Sequence, residues 1–430
     1  MNKEILKLAI PNIISNISVP LLSTVDTALM GRLSELHIGA VGVGAMIFNF
    51  IYWNFGFLRM GTTGLTAQAY GQQSETAISN TLGRAFVVVA SLSFLILTLQ
   101  LPIGHLSIQL MNVSTEQQSL VEDYFYIRVW AAPATLGLYA AMGWFFGLQN
   151  AVYPLILTVS INVVNIILSY FFVHSLGWGV AGVAYGTLLA QYFGLVLALF
   201  LFWWRYQSYL KMIKSKALLK WQELRKFLSL NFDIFLRTLC LTFAFGFFYS
   251  QSSTEGTLML AVNVILLQYL NWMSYGVDGF AFATESLVGK YAGAQDIPKT
   301  NKAIRLAFIW GMALAVGFGL LYLLAGGPMV HLFTTEQDVI EAIQPYLFWM
   351  VLFPILSTPC YIWDGVFIGL TASKAMRDCM LIAILIFLAS YYMYGVHHGN
   401  HGLWLTLLAF MVARGIIQQI AYFRKGFSLR

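Results

Sequence analysis

The stretch LSTVDTALMGRL at 22–33 places Asp26 near the end of a run, Leu8 to Met30, that otherwise carries no charge. Three more acids, Asp278, Glu285 and Asp364, fall well inside apolar stretches, and Asp233 lies near the start of another. A carboxylate at the centre of a bilayer costs about 2.5–3.5 kcal/mol on insertion scales, so a chain that keeps one there has a use for it. Shielded from water, a carboxyl can change its ionisation near neutral pH, taking a proton from one side and releasing it to the other. No Lys or Arg beyond Lys7 lies in the Asp26 stretch to hold that acid ionised. The competing reading is a hydrogen-bonded helix-end residue close to Arg32.

Asn162, Asn165 and Ser169 are spaced so that Asn165 shares a helix face with both of the others, and Thr187 and Gln191 form a similar pair on the next apolar stretch. These groups suit a polar cavity that hydrogen-bonds Asp26 or hydrates a cation; they would serve equally as glue between membrane helices. Asp278 and Glu285 stand two turns apart along one face, and Asp364 could coordinate a cation or attract a cationic substrate. Glu285 could instead pair with a basic residue at the nearby membrane face, and Arg59 and Arg237, also inside apolar stretches, could neutralise an acid. The chain has no G-x-x-x-x-G-K-[ST] loop to cradle a nucleotide phosphate and no H-E-x-x-H metal set, which argues against direct ATP drive and against an intramembrane enzyme. HHGNH at 397–401 resembles metal-ligand material, but no Cys or acid stands beside it.

The elements that must position these residues are membrane helices. Of 430 residues 59% are hydrophobic and only 10% charged, and the mean hydropathy is +0.73, too apolar for a soluble domain. Runs that reach the roughly 20 residues needed to cross a bilayer recur at twelve places: 5–30, 40–70, 83–106, 120–147, 152–174, 179–204, 227–251, 257–291, 303–326, 339–370, 374–396 and 401–423. Barrel strands would alternate polar and apolar residues at half this length, so the expected fold class is all-α integral membrane. The first span has no small-residue cleavage pattern and is expected to be retained. Basic residues gather at the two ends and at the even-numbered junctions, including Lys211, Lys214, Lys216, Lys220, Arg225 and Lys226, whereas the odd-numbered junctions hold Arg32 alone. That bias predicts cytoplasmic termini. It also accounts for the net charge of +6, so the bilayer, and no nucleic acid, is the expected large partner. Cys240, Cys360 and Cys379 all lie in or beside spans and imply no disulfide.

A shift of 222 residues aligns Gly71 with Gly293, and GWFFGL at 143–148 with GVFIGL at 365–370. Matched glycines mark close helix packing or a break. The expected organisation is a six-helix bundle at 1–204, a basic cytoplasmic linker at 205–226 and a second bundle at 227–430, the two bundles related by a pseudo-two-fold axis along the membrane normal. Such a duplication is the architecture of a secondary transporter, and Pro11, Pro20, Pro133 and Pro354 offer bends in helices that move.

VDTALMGRL at 25–33, FLRMGTTGLTAQAYGQ at 57–72, VDGFAFATESLVGKYAGA at 277–294 and WDGVFIGLT at 363–371 resemble the multidrug and toxic compound extrusion (MATE) family, and in particular its DinF-like branch, over essentially the full chain. The resemblance implies a multi-pass inner-membrane antiporter, expected to be monomeric, that exports organic, often cationic or amphipathic compounds in exchange for protons or sodium, with no cofactor beyond the coupling ion. It also implies that Asp26 is the family's first-helix aspartate, that Thr187 belongs to the same polar cluster, and that Asp364 matches an acid of the tenth helix. Many members follow the fifth-helix asparagine with an aspartate four residues on; here the pair reads Asn165 and Ser169. The acid some relatives carry on the seventh helix has no counterpart in LTFAFGFFYS. Losing these acids weakens a sodium site and concentrates proton coupling on Asp26. The rival functions are a sodium-coupled exporter of the same fold, a flippase for lipid-linked cargo, a sugar importer of the major facilitator type and a passive channel.

Overall fold

The computed structural model describes residues 1–30, 35–111, 113–213 and 218–425; for 19–30, 35 and 425 only the backbone is described. The elements are helical throughout the described residues. Eleven helical stretches among them are long and apolar enough to cross a membrane, and the 29-residue helix α1 (Asn2–Met30) precedes them.

The chain folds as two compact units, one of residues 14–228 and one of 1–13 with 229–430. The first holds α2 (Glu35–Asn54), α3 (Phe57–Gly71), α4 (Glu75–Thr98), α5 (Gln100–Leu110), α6 (Thr115–Arg128), α7 (Ala132–Gly147), α8 (Val152–Tyr170) and α9 (Gly179–Tyr206). The second holds α10 (Trp221–Thr254) from Ser229 onward, α11 (Thr257–Gly293), α12 (Ile297–Val330), α13 (Gln337–Ile343), α14 (Leu347–Gly369), α15 (Ser373–Met393) and α16 (Gly399–Lys425).

These boundaries differ from 1–204, 205–226 and 227–430 at both ends. The first thirteen residues pack with the second unit because Glu4 accepts a hydrogen bond from the Tyr291 hydroxyl at 3.0 Å and lies 3.6 Å from Lys290 Nζ. In addition, Gly279 lets α11 close on Ala9 and Ile13. Residues after α9 belong to the first unit because Tyr206 and Tyr209 set their rings 5.2 and 5.5 Å from Trp144. Trp144, fully buried, satisfies its ring N–H on the Ile78 carbonyl at 3.0 Å.

The duplication is written in the backbone of each unit. Among the described residues four non-glycine residues adopt positive φ, and they form two pairs at the same 222-residue shift: Gln73 (56°) with Gln295 (58°), and Gln149 (64°) with Thr371 (55°). Each follows a helix whose end is closed by a six-residue loop-back bond: Ser74 N–H to Ala69 O at 3.0 Å and Asp296 N–H to Tyr291 O at 2.9 Å; Asn150 N–H to Phe145 O at 3.0 Å and Ala372 N–H to Phe367 O at 2.8 Å. This C-cap demands a left-handed residue, which costs a side chain about 1–2 kcal/mol. Ser74 and Asp296 then cap the following helices, accepting from Ala77 N–H and Lys299 N–H. Gly143 and Gly365 complete the match, since a Cβ on either would run into a backbone carbonyl oxygen, of Arg59 and of Ala281 respectively.

The prolines divide. Pro133 stands in the first turn of α7, where a missing N–H costs nothing, so it starts a helix instead of bending one. Pro354 lies inside α14 together with Pro359, and the carbonyl of Pro354 accepts from the Thr358 hydroxyl at 2.7 Å.

Candidate functional site

Polar side chains gather separately in each unit. In the first, Asn162 donates to the Ser18 carbonyl at 3.2 Å and to its hydroxyl at 3.0 Å, tying α8 to α1. Asn165, buried, accepts from the Ser169 hydroxyl at 3.3 Å, and its own amide nitrogen has no partner among the described residues. Gly186 gives Ser169 its room, because any side chain there would meet the hydroxyl, and α8 and α9 close tightly at that point. Thr187 donates its hydroxyl back to the Val183 carbonyl at 3.0 Å. Gln191 is half-buried one turn further along α9. Asp26 lies on α1, roughly 12 Å beyond Ser18 at about 1.5 Å per residue, and its side chain falls outside the described residues, as does Arg32.

In the second unit Asp364 sits at the centre of a buried charged cluster. Its Oδ2 takes a short hydrogen bond from Arg237 Nη2 and another from Arg414 Nη2 at 2.7 Å, while Oδ1 accepts from Gln418 Nε2 at 2.7 Å. Arg414 also reaches Met411 Sδ at 3.0 Å and lies over the Phe410 ring. Two guanidinium groups thus share one carboxylate oxygen. Asp364 is therefore not free to coordinate a cation or to draw in a cationic substrate: the lone pairs a cation would use are already occupied. Arg237, named from the sequence as one residue able to neutralise an acid, is half of the clamp. Arg414 and Gln418 are not among the sequence candidates, although an arginine inside the last span with a glutamine one turn on is the signal for them.

Asp278 and Glu285 lie on α11, which packs against α14 on the side facing Ser274 and Tyr361. Ser274, one turn before Asp278, shares a hydrogen bond of 2.7 Å with the Tyr361 hydroxyl of α14. Glu285 is buried where α14 closes on α11, a Cβ on Gly369 coming 2.8 Å from the Glu285 carbonyl oxygen. Asp233 is held by Ser373 at 2.9 Å and Arg377 at 2.6 Å. His401 accepts from Trp349 Nε1 at 3.1 Å and His398 stacks on Tyr394, so both are engaged in packing. Neither polar cluster has a copy in the other unit. At the 222-residue shift Asp364 and Arg414 fall on Met142 and Tyr192, while Asn165 and Ser169 fall on Phe387 and Tyr391.

A family model described as MatE matches residues 11–171 and again 234–393, the two copies of the duplication. The chain is 36% identical over 418 residues to DNA damage-inducible protein F of Escherichia coli (strain K12), which covers 96% of this chain and 90% of that one. It is 27% identical over 343 residues to multidrug and toxin extrusion protein 1 of Homo sapiens, covering 79% of this chain and 60% of the human protein. Among solved structures, a MOP superfamily transporter from Pyrococcus furiosus has a TM-score of 0.86 at 21% identity, over 98% of this chain and 95% of its own. An outward-facing multidrug resistance MATE family transporter reaches 0.87 at 21% identity with the same coverage. With the family model matched in both halves and a relative aligned along nearly the whole length, the chain belongs to the MatE family: it is a multi-pass membrane transporter of the multidrug-extrusion kind and not an enzyme.

Proposed function

We propose that this transporter is a proton-coupled antiporter that exports organic, cationic or amphipathic compounds by alternating access, with Asp26 as its coupling residue. The observation that carries this reading is the clamp on Asp364. A carboxylate bonded to Arg237, Arg414 and Gln418 has its oxygens taken by donors, which moves coupling away from that residue. In the first unit Asn165 and Ser169 supply only neutral oxygens, so a sodium ion would have one formal charge, that of Asp26, to set against its dehydration. A proton needs no more than that. Protonation of Asp26 from outside removes its charge, allows α1 to repack near Pro20 and expels the substrate; deprotonation toward the cytoplasm restores the binding form. The lipid-linked flippase loses support because Arg237 and Arg414 are committed to Asp364 and Arg128 lies over the Phe48 and Tyr52 rings, leaving these guanidinium groups dispersed. The chain acts in this scheme as a monomer in a bacterial-type plasma membrane, with both termini on the cytoplasmic side where its basic residues collect.

The test is purified protein in proteoliposomes under an imposed pH or sodium gradient, with a panel of organic cations and anions as cargo. Substrate-driven proton release should vanish in Asp26→Asn while the variant stays monodisperse. Release that persists removes Asp26 from the mechanism, and exchange that follows sodium in place of the pH gradient replaces the proton reading with the sodium one.

A further inference from the structure

At the end of the second unit where α12 begins and α14 and α16 finish, a groove of about 650 Å³ opens between these three helices. Its floor is aromatic: the Trp363 ring lies 5.3 Å from Phe308 and 5.1 Å from Tyr422. One end is closed by the Tyr422 hydroxyl donating to Asn301 Oδ1 at 2.9 Å. Its lips are exposed and apolar, with Ile297 48%, Ile309 51% and Phe423 73% accessible. Among the described residues Arg305 is the one charged residue in the lining, which holds no acid. Lys302 is exposed on the same face of α12 and Arg424 is exposed at the end of α16.

The first unit shows what such a groove becomes when the chain itself fills it. At the 222-residue shift Arg305 corresponds to Gly83 and Phe308 to Phe86. There Leu218 lies directly against Gly83, 2.6 Å from where a Cβ would stand. The second unit has a guanidinium where the first has that apolar seat, so the equivalent groove is built for an occupant that is apolar along its length and anionic at one end.

We propose that this groove binds an anionic phospholipid, its phosphate on Arg305 and one acyl chain along Phe308, Trp363 and Phe423. The groove lies at the basic end of a membrane-spanning unit, where interfacial aromatic residues and anionic headgroups meet. A cationic compound of the kind proposed as cargo would face Arg305 with nothing to offset its charge, so the groove is distinct from a cargo site. The inference stands without the coupling scheme above.

Full-length protein in a neutral detergent, titrated with dioleoylphosphatidylglycerol or dioleoylphosphatidylcholine, tests it by native mass spectrometry and thermal unfolding. Phosphatidylglycerol should be retained about fivefold more than phosphatidylcholine, the effect of roughly one basic side chain on an anionic lipid. It should also raise the unfolding temperature. Arg305→Gln should lose that preference, Arg305→Lys should keep most of it, and Lys299→Gln, whose native lysine pairs with Asp296 at 2.8 Å outside the lining, should not change it. Equal retention of the two lipids by the parent chain, or an Arg305→Gln variant that keeps the preference, overturns the proposal. So does a thermal shift of the same size from glycerol phosphate alone, because the apolar wall would then have no role.

Discussion

Replacing Asp364 by Asn tests the charge accounting of the second unit most directly. The substitution keeps the shape of the side chain but removes the charge that holds Arg237 and Arg414, and it sets an amide N–H₂ against guanidinium donors. In the parent both guanidinium groups bond the Asp364 carboxylate; in the variant that partner charge is gone. Removing one partner of a buried ion pair and leaving the other uncompensated costs about 3–5 kcal/mol. For a unit of roughly 200 residues each kcal/mol moves the unfolding temperature by about 2–4 °C, so a fall of about 6–20 °C is expected. Arg414→Gln provides the internal comparison. It leaves Asp364 paired with Arg237 alone, a balanced pair, and should cost less than Asp364→Asn despite deleting a larger and more deeply buried group. Fluorescence-monitored thermal unfolding of both purified variants in detergent gives the two numbers. A fall below about 2 °C for Asp364→Asn, or a larger fall for Arg414→Gln than for Asp364→Asn, would refute the view that unbalanced charge, and not lost packing, dominates this cluster.

Two further outcomes follow from the duplicated backbone. Gly143→Ala and Gly365→Ala should each lower stability by about 1–3 kcal/mol or more, because the added methyl group meets a carbonyl oxygen of α3 or α11 that cannot rotate away; thermal unfolding of the two variants should show losses of similar size. Gln295→Gly should do the reverse, raising stability by about 1 kcal/mol by relieving a left-handed residue at φ 58°, and an unchanged or lowered unfolding temperature would show that the glutamine side chain compensates for its backbone.

Much of the fold is legible from hydropathy because a bilayer forces every backbone polar group to be satisfied within its own helix, so long apolar runs have one available structure. The 222-residue shift is legible for a different reason. The glycines at 143 and 365 and the caps at 74 and 296 serve local geometry, and local geometry constrains residue type. The boundaries of the two units were not legible, because nothing in the apolar run of α1 says that Glu4 meets Lys290 and Tyr291 nearly three hundred residues away.

The sequence by itself determined which acids lie inside apolar stretches and that those stretches are membrane-spanning helices. Only the tertiary structure decided what those residues do for one another. Asn162 found the Ser18 carbonyl and hydroxyl, 144 residues away, a partner that spacing along its own helix does not name. The sequence left Asp364 open to a cation or to an arginine; α10 and α16 bring Arg237 and Arg414 onto one of its oxygens. Ion pairing inside a membrane depends on which helices are neighbours, and residues 127 and 50 positions apart leave no periodic trace of that in the chain.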